Sequence, residues 1–315
     1  AHRAPLDITW AMIDGVFEHY PTIVMTSATL TSRNTFEFFE QRVGLVAYKD
    51  ALCARDGETA GTARPVRELI LPTPFDFARQ ALMVIPTDID TAHIRRRDEE
   101  AEESVSLGNA LLTLLDVTNG SSFVLFTSYG LMRKMARELS DELRMRDMTL
   151  FMQGTMQRDE LLRTFRRTPR AVLFGTDSFW AGVDVVGPAL SQVIITRLPF
   201  RVPTEPVIEA RAEFIDAHGG KSFLDYTVPM AVIKFRQGFG RLIRTTTDYG
   251  MVAVLDRRVI EKFYGRWFLE SLPPCRRVSG VFTEVRDEAK RFIEGMKRRA
   301  VSAASDAREE TAQGH

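Results

Sequence analysis

The feature that most constrains this chain is an alternation that sets in near residue 68. Apolar runs at 81–85, 123–127, 149–152, 171–175, 192–197 and 251–256 are separated by stretches of helical spacing at 104–117, 129–146, 158–167, 206–217, 229–244 and 258–270. Runs such as Phe123-Val124-Leu125-Phe126 and Val193-Ile194-Ile195 are apolar at every position. A strand with one wet face would alternate apolar and polar residues, so continuous runs of this length suit strands covered on both sides. Strand and helix in alternation then predict an α/β fold, a parallel sheet with helices on both faces.

Upstream of that pattern the signals are weaker. Residues 7–19 carry apolar positions at helical spacing and stop before Pro21. Thr22-Ile23-Val24-Met25-Thr26 is a β-branched run that predicts a short buried strand, delivering Thr26-Ser27-Ala28-Thr29-Leu30 at its C-terminal end, where open α/β sheets bind ligands. Residues 36–44 read as a short helix, and polar residues 50–66, with Gly57 and Gly61, as a loop or linker. Three segments follow: 1–67, the α/β body at 68–275, and 276–315, a helix to about residue 300 with a polar, disordered end. The charge run from Arg95 to Glu103 reads as a solvated helix start.

Composition removes several classes of function. Lys+Arg and Asp+Glu both number 42, so no global field draws the chain to a polyanion, and any such site must be local. Cys53 and Cys275 cannot form a disulfide scaffold and have no metal-ligand spacing, and the five histidines form no ligand pair, so no metal site is expected. No apolar run reaches about 18 residues, the length that would suggest a membrane-spanning helix. The first residues, Ala1-His2-Arg3-Ala4-Pro5, lack an initiator methionine and a signal-peptide core, which points to a cytoplasmic chain that is truncated at its start.

The stretch Gln237-Gly238-Phe239-Gly240-Arg241-Leu242-Ile243-Arg244 stands out within this frame. On one continuous helix, Lys234, Gln237, Arg241 and Arg244 share a polar stripe, opposite an apolar stripe of Val232, Phe235, Phe239 and Leu242. Each glycine costs about 1 kcal/mol inside a helix relative to alanine, so the pair predicts close approach by another backbone. Polar turns follow several strands: Thr127-Ser128-Tyr129 after 123–126, Gly175 to Asp184 after 171–174, and Arg197-Leu198-Pro199-Phe200 after 192–196. If the strands are parallel, these turns converge on one sheet edge beside the arginine helix. Hydroxyls and N–H groups there suit phosphate oxygens, and Phe179-Trp180 could stack on unpaired bases. Each also has a plainer reading: a Thr-Ser after a strand is often a helix cap, and Phe-Trp is often core.

The order T-S-A-T-L, L-F-T-S-Y, L-F-G-T-D-S-F-W-A-G-V-D-V, R-L-P-F, Q-G-F-G-R-L-I-R and L-D-R-R, from about residue 20 to 272, resembles the second half of DinG-type helicases. These are the bacterial relatives of XPD within helicase superfamily 2. Pro74-Phe75-Asp76-Phe77 with Gln80, and Gln153-Gly154 with Arg158-Asp159-Glu160-Leu161, are similar to that family too. Two positions depart from it, Thr73 for a usual serine and Val185-Val186-Gly187 for a usual V-P-G, and neither involves a charged group.

The resemblance implies a RecA-like second motor domain at 68–275, preceded at 1–67 by the end of the first. Thr26–Leu30 would be motif III, Thr127-Ser128 motif IV, Gly175–Asp184 motif V and Gln237–Arg244 motif VI. By position, Gln237, Arg241 and Arg244 would act on ATP, with Arg241 or Arg244 as the arginine finger, and Gly182, Asp184 and Thr29 would line the nucleotide cleft. Thr127, Ser128, Thr176, Ser178, Phe179 and Trp180 would lie nearer single-stranded DNA. The 315 residues contain no G-x-x-x-x-G-K-[ST] and no D-E-A-H-like box. ATP and Mg²⁺ would therefore be held mainly by an N-terminal motor domain upstream, where an iron–sulfur cluster would also lie if there is one. The chain alone is expected to be inactive. The alternative is a separately encoded RecA-like module that binds nucleic acid or lends an arginine to a partner ATPase.

Overall fold

The computed structural model describes residues 5–54, 65–89, 91, 100–180 and 187–313. The chain divides into two compact units, one of residues 1–72 and 200–233, the other of 73–199 and 234–315. Residues 200–233, which fall inside the 68–275 segment expected from sequence, cluster with the first unit.

The second unit holds a seven-stranded sheet: β1 (Ala81–Pro86), β2 (Ser122–Leu125), β3 (Thr149–Met152), β4 (Ala171–Gly175), β5 (Gln192–Ile195), β6 (Gly250–Val254) and β7 (Arg276–Gly280). Their spatial order is β3-β4-β2-β5-β6-β1-β7, and every pairing is parallel. The six strands expected from apolar runs are present. β7 was not expected, because an edge strand reading Arg-Arg-Val-Ser-Gly has no apolar run to mark it.

Successive strand residues point to opposite faces, and each face has its own cover. Leu82, Val84, Val124, Phe126, Val172, Phe174, Ile194, Met251 and Ala253 pack with the helices Glu100–Thr118, Tyr129–Met145 and Phe282–Gln313. Aromatic residues dominate the opposite side. Phe123 meets Phe179 edge-on, with centroids 6.2 Å apart. Phe235 meets Phe268 at 5.4 Å, and Phe77 stacks on Phe239 at 5.7 Å. The helix Phe282–Gln313 continues through the end expected to be disordered. No glycine or proline falls between Gly295 and Gly314, and the alanine-, glutamate- and arginine-rich composition favours helix.

The described elements of the first unit are helical. Residues 22–26 form no strand, contrary to expectation: Val24 is 82% exposed, and the backbone there is irregular. A β-branched run needs a neighbour to hydrogen-bond; the seven strands of the sheet all belong to the other unit. The expected loop at 50–66 is preceded by a helix, Leu45–Ala54, that runs into it; residues 55–64 lie outside the described residues.

Candidate functional site

The helix Val228–Phe239 carries the first part of the Gln237–Arg244 stretch and stops there. Gly240 and Arg241 form a turn, and residues 243–244 are irregular. Arg241 and Arg244 therefore do not extend a helical stripe from Lys234 and Gln237. Two glycines in four residues remove the propensity to continue. The apolar stripe does form: Val232, Phe235, Phe239 and Leu242 are at most 2% exposed. Gly238 is required by a close approach, as expected, but the neighbour is a side chain. A Cβ there would lie 3.0 Å from Trp180 Cε3 and 3.1 Å from Leu125 Cδ1.

Arg241 turns back onto the helix Asp177–Trp180 that follows β4. Its Nε and an Nη donate to the Trp180 carbonyl at 3.2 and 3.1 Å. That carbonyl directly precedes residues 181–186, so Gly182 and Asp184 lie outside the described residues. Burial pushes the Arg241 guanidinium below the ordinary arginine range, and repulsion from Arg158 adds to it. Arg244 is lowered too, first by burial and then by Arg166, with Asp248 opposing. Arg158 and Arg166 stand on one helix, Arg158–Arg167. Arginine stays cationic throughout the accessible pH range, so both side chains keep their charge despite this burial.

A further device, not anticipated from sequence, shapes the Arg244 loop. Asp248, 8% exposed, accepts the N–H groups of Arg244 and Thr245 on Oδ2, each at 2.9 Å. The Gln80 amide nitrogen donates to the carbonyls of Thr245, Thr246 and Asp248 at 3.0, 3.1 and 2.7 Å. Gln80 immediately precedes β1 and Asp248 nearly adjoins β6, so this loop lies toward the N-terminal ends of the strands. The convergence expected on one edge is thus divided. The strand-end turns hold the C-terminal edge, while the arginine turn runs from Trp180 toward the opposite one.

At the C-terminal edge, Ser128 is exposed and caps the helix Tyr129–Met145 by accepting the Leu131 N–H at 3.3 Å. Thr127 beside it is half-buried. Thr176, 6% exposed, donates through its N–H and hydroxyl to Gln153 Oε1 at 2.6 and 3.0 Å. The Tyr129 hydroxyl donates to the Gln153 carbonyl at 2.9 Å. Gly154 follows at φ +92°, with the Tyr129 hydroxyl where a Cβ would stand. This bracket ties the ends of β2, β3 and β4 together. Ser178 lies on the helix Asp177–Trp180.

Phe179 and Trp180 are corrected outright as a base-stacking pair. They are 2% and 0% exposed, and the Trp180 indole N–H donates to the Phe126 carbonyl at 3.2 Å. A ring with no accessible face cannot stack on a base, so both belong to the core. Gln237 is half-buried on the last turn of its helix. Thr29 belongs to the first unit, where its N–H donates to Ser27 Oγ at 3.2 Å. The L-D-R-R stretch is structural at its centre: the fully buried Asp256 accepts the Leu198 N–H at 2.8 Å and pairs with Arg258 at 2.6 Å.

Gly219-Gly220-Lys221-Ser222 has the ending of a P-loop but Ile215 where that motif needs its first glycine. Its N–H groups are taken by carboxylates: Lys221 N–H donates to Asp225 at 2.6 Å and Ser222 N–H to Asp216 at 2.8 Å. It is no phosphate cradle. Among the described residues, no group of three or more His, Cys, Asp and Glu could hold a metal ion, and no helix is long and apolar enough to cross a membrane.

Comparison with known proteins bears on the family and the fold. The model of the helicase C-terminal domain matches residues 111–275. The ATP-dependent DNA helicase YoaA of Haemophilus influenzae is 37% identical over 254 residues, covering 81% of this chain and 36% of that protein. The ATP-dependent DNA helicase DinG of Photobacterium profundum is 34% identical over 281 residues, covering 87% and 37%. This chain therefore spans a little over a third of the length of either relative. A solved apo structure of XPD superposes with a TM-score of 0.50 at 17% identity, covering 64% of this chain and 40% of that one, which supports the RecA-like fold. With the family model matched across the sheet from β2 to β6 and through the arginine turn, the chain belongs to the helicase C-terminal domain family.

Proposed function

We propose that this chain is the C-terminal motor portion of an ATP-dependent DNA helicase that couples ATP hydrolysis to movement along single-stranded DNA and to duplex unwinding. The observation that carries the reading is the arginine turn. Arg241 and Arg244 leave the helix Val228–Phe239 on one turn, Arg241 anchored on the Trp180 carbonyl and Arg244 held through its N–H by Asp248. Phosphoryl transfer asks for that arrangement, since its catalysis is positioning and stabilisation of charge on the γ-phosphate. Arginine suits it because the guanidinium keeps its charge and binds phosphate oxygens two at a time. In this reading Arg244 is the finger, Arg241 links the nucleotide to the segment of Gly182 and Asp184, and Thr127 and Ser128 face the strand. ATP and Mg²⁺ are held mainly by an N-terminal motor domain, which also completes the cleft.

The test is hydrolysis in the full-length protein. Arg244→Ala is expected to lower single-strand-stimulated ATP turnover by about 10³-fold or more while ATP binding survives. The 315-residue chain by itself is expected to show no turnover. Retained turnover in the variant would remove Arg244 from the finger role. Turnover by the isolated chain would overturn the division of the site between two domains.

A further inference from the structure

The first unit contains a second concentration of guanidinium groups that no part of the ATP reading uses. Tyr226, 4% exposed, lies on the turn Phe223–Thr227. Its ring has Arg42 Cζ at 5.6 Å and Arg211 Cζ at 5.5 Å from the centroid. Arg42 also stands 5.7 Å from the Phe38 ring, with an Nη donating to Met230 Sδ at 2.8 Å. Arg211 donates to the Leu6 carbonyl at 2.8 Å. These interactions fix the direction of both side chains without neutralising either. The Arg42 guanidinium is held below the ordinary arginine range, first by burial of its head against these rings and next by repulsion from Arg211; the Tyr226 phenol offsets part, and exposed Arg201 contributes further repulsion. Asp7 is the acid that senses Arg211, and it is committed first to Thr9.

An aromatic surface adjoins this cluster along the chain. Phe200, next to Arg201, stacks on Phe223 with centroids 5.9 Å apart and planes at 27°. Phe223 keeps 44% of its surface exposed, three residues from Tyr226. Cations whose heads are fixed but not neutralised, together with an exposed stacked ring, are the parts single-strand binding uses: guanidinium on phosphate and ring on base. The Phe179-Trp180 pair cannot provide that ring.

We propose that Arg42 and Arg211, both set over the Tyr226 ring, form with Arg201, whose charge acts on Arg42, a phosphodiester-binding site for single-stranded nucleic acid, with Phe223 as its base platform. This rests on the nucleic-acid part of the helicase reading and adds a site on the first unit.

The experiment is fluorescence anisotropy of a labelled oligothymidylate with the full-length protein, without nucleotide, across a salt series. For a single strand, removing one guanidinium–phosphate pair flattens the dependence of log K on log salt by about 0.7. Arg201→Gln, at an exposed position, and Arg42→Gln with Arg211→Gln are expected to flatten the slope by about one and two such steps. Arg42→Lys should keep the slope. Phe223→Ala should weaken binding about tenfold, within the range expected for a single base stack, with the slope unchanged. Because Arg42 packs on a buried ring, Arg201→Gln remains decisive if the double variant fails to fold. A wild-type slope in Arg201→Gln and in a folded Arg42→Gln/Arg211→Gln overturns the site while leaving the helicase reading intact. Absence of oligonucleotide binding by the wild type removes the nucleic-acid reading and this site with it. Release of the oligonucleotide by inorganic phosphate at matched ionic strength assigns the cluster to free phosphate and overturns the strand proposal.

Discussion

At the scale of single residues, Gly238 sets helix propensity against packing. Alanine would stabilise a helix interior by about 1 kcal/mol, but its Cβ would stand 3.0 Å from an indole that is 0% exposed and 3.1 Å from Leu125. Both neighbours would have to shift by a few tenths of an ångström, against the Trp180 indole bond to Phe126 and the packing of Leu125 on the central strand β2. Overpacking costs about 1–3 kcal/mol, so Gly238→Ala is expected to lower the thermal midpoint of the domain by a few degrees. A higher midpoint would mean that the indole shifts freely. The sequence carried half of this: two glycines in an apolar-faced helix signal a close approach, and their type cannot say whether backbone or ring is the neighbour. Phe179 and Trp180 show the same limit, because a base platform and a core plug are written with the same residues and only burial separates them.

At the scale of elements, the helices and strands of the sheet were legible because each carries its own periodicity, while ends and edges were not. The helix Val228–Phe239 keeps its apolar stripe through Leu242 although helical geometry ends at Phe239, so the pattern overran the element. β7 is polar and lies at an edge, and residues 22–26 have strand composition without a strand. The loop 245–248 gave no sequence signal, yet its hydrogen bonds decide where Arg244 stands. Removing the Asp248 carboxylate leaves two N–H groups without their acceptor, at about 1–3 kcal/mol for each that stays buried. In the full-length protein Asp248→Ala is expected to reduce ATP turnover at least tenfold with the KM for ATP little changed, since it displaces the backbone of Arg244 rather than a nucleotide contact. Asp248→Asn, which keeps one acceptor oxygen, should recover part of the loss. Unaltered turnover in Asp248→Ala would show that this loop does not position the arginine.

At the scale of the whole chain, strand count and alternation predicted a parallel α/β body, but its outline was hidden. Residues 200–233 read as one more helical unit in the alternation, and cluster instead with 1–72; local periodicity cannot report which surface a helix covers. The last helix poses the same question in a form that truncation can answer. Val285, Ala289 and Ile293, at successive i, i+4 positions, are each 0% exposed and belong to the sheet's core. Beyond them Val301 is 68% exposed. Burial therefore anchors the first three turns, and the remainder persists by composition and by extension from an anchored nucleus. Removing residues 301–315 should leave the thermal midpoint within about 2 °C of the parent chain, an effect of no more than about 1 kcal/mol for a domain of this size. Ile293→Ala should lower it by at least about 5 °C, because a buried isoleucine cut to alanine costs about 2–5 kcal/mol. If the truncation destabilises as much as Ile293→Ala does, the final turns of the helix cover part of the fold themselves.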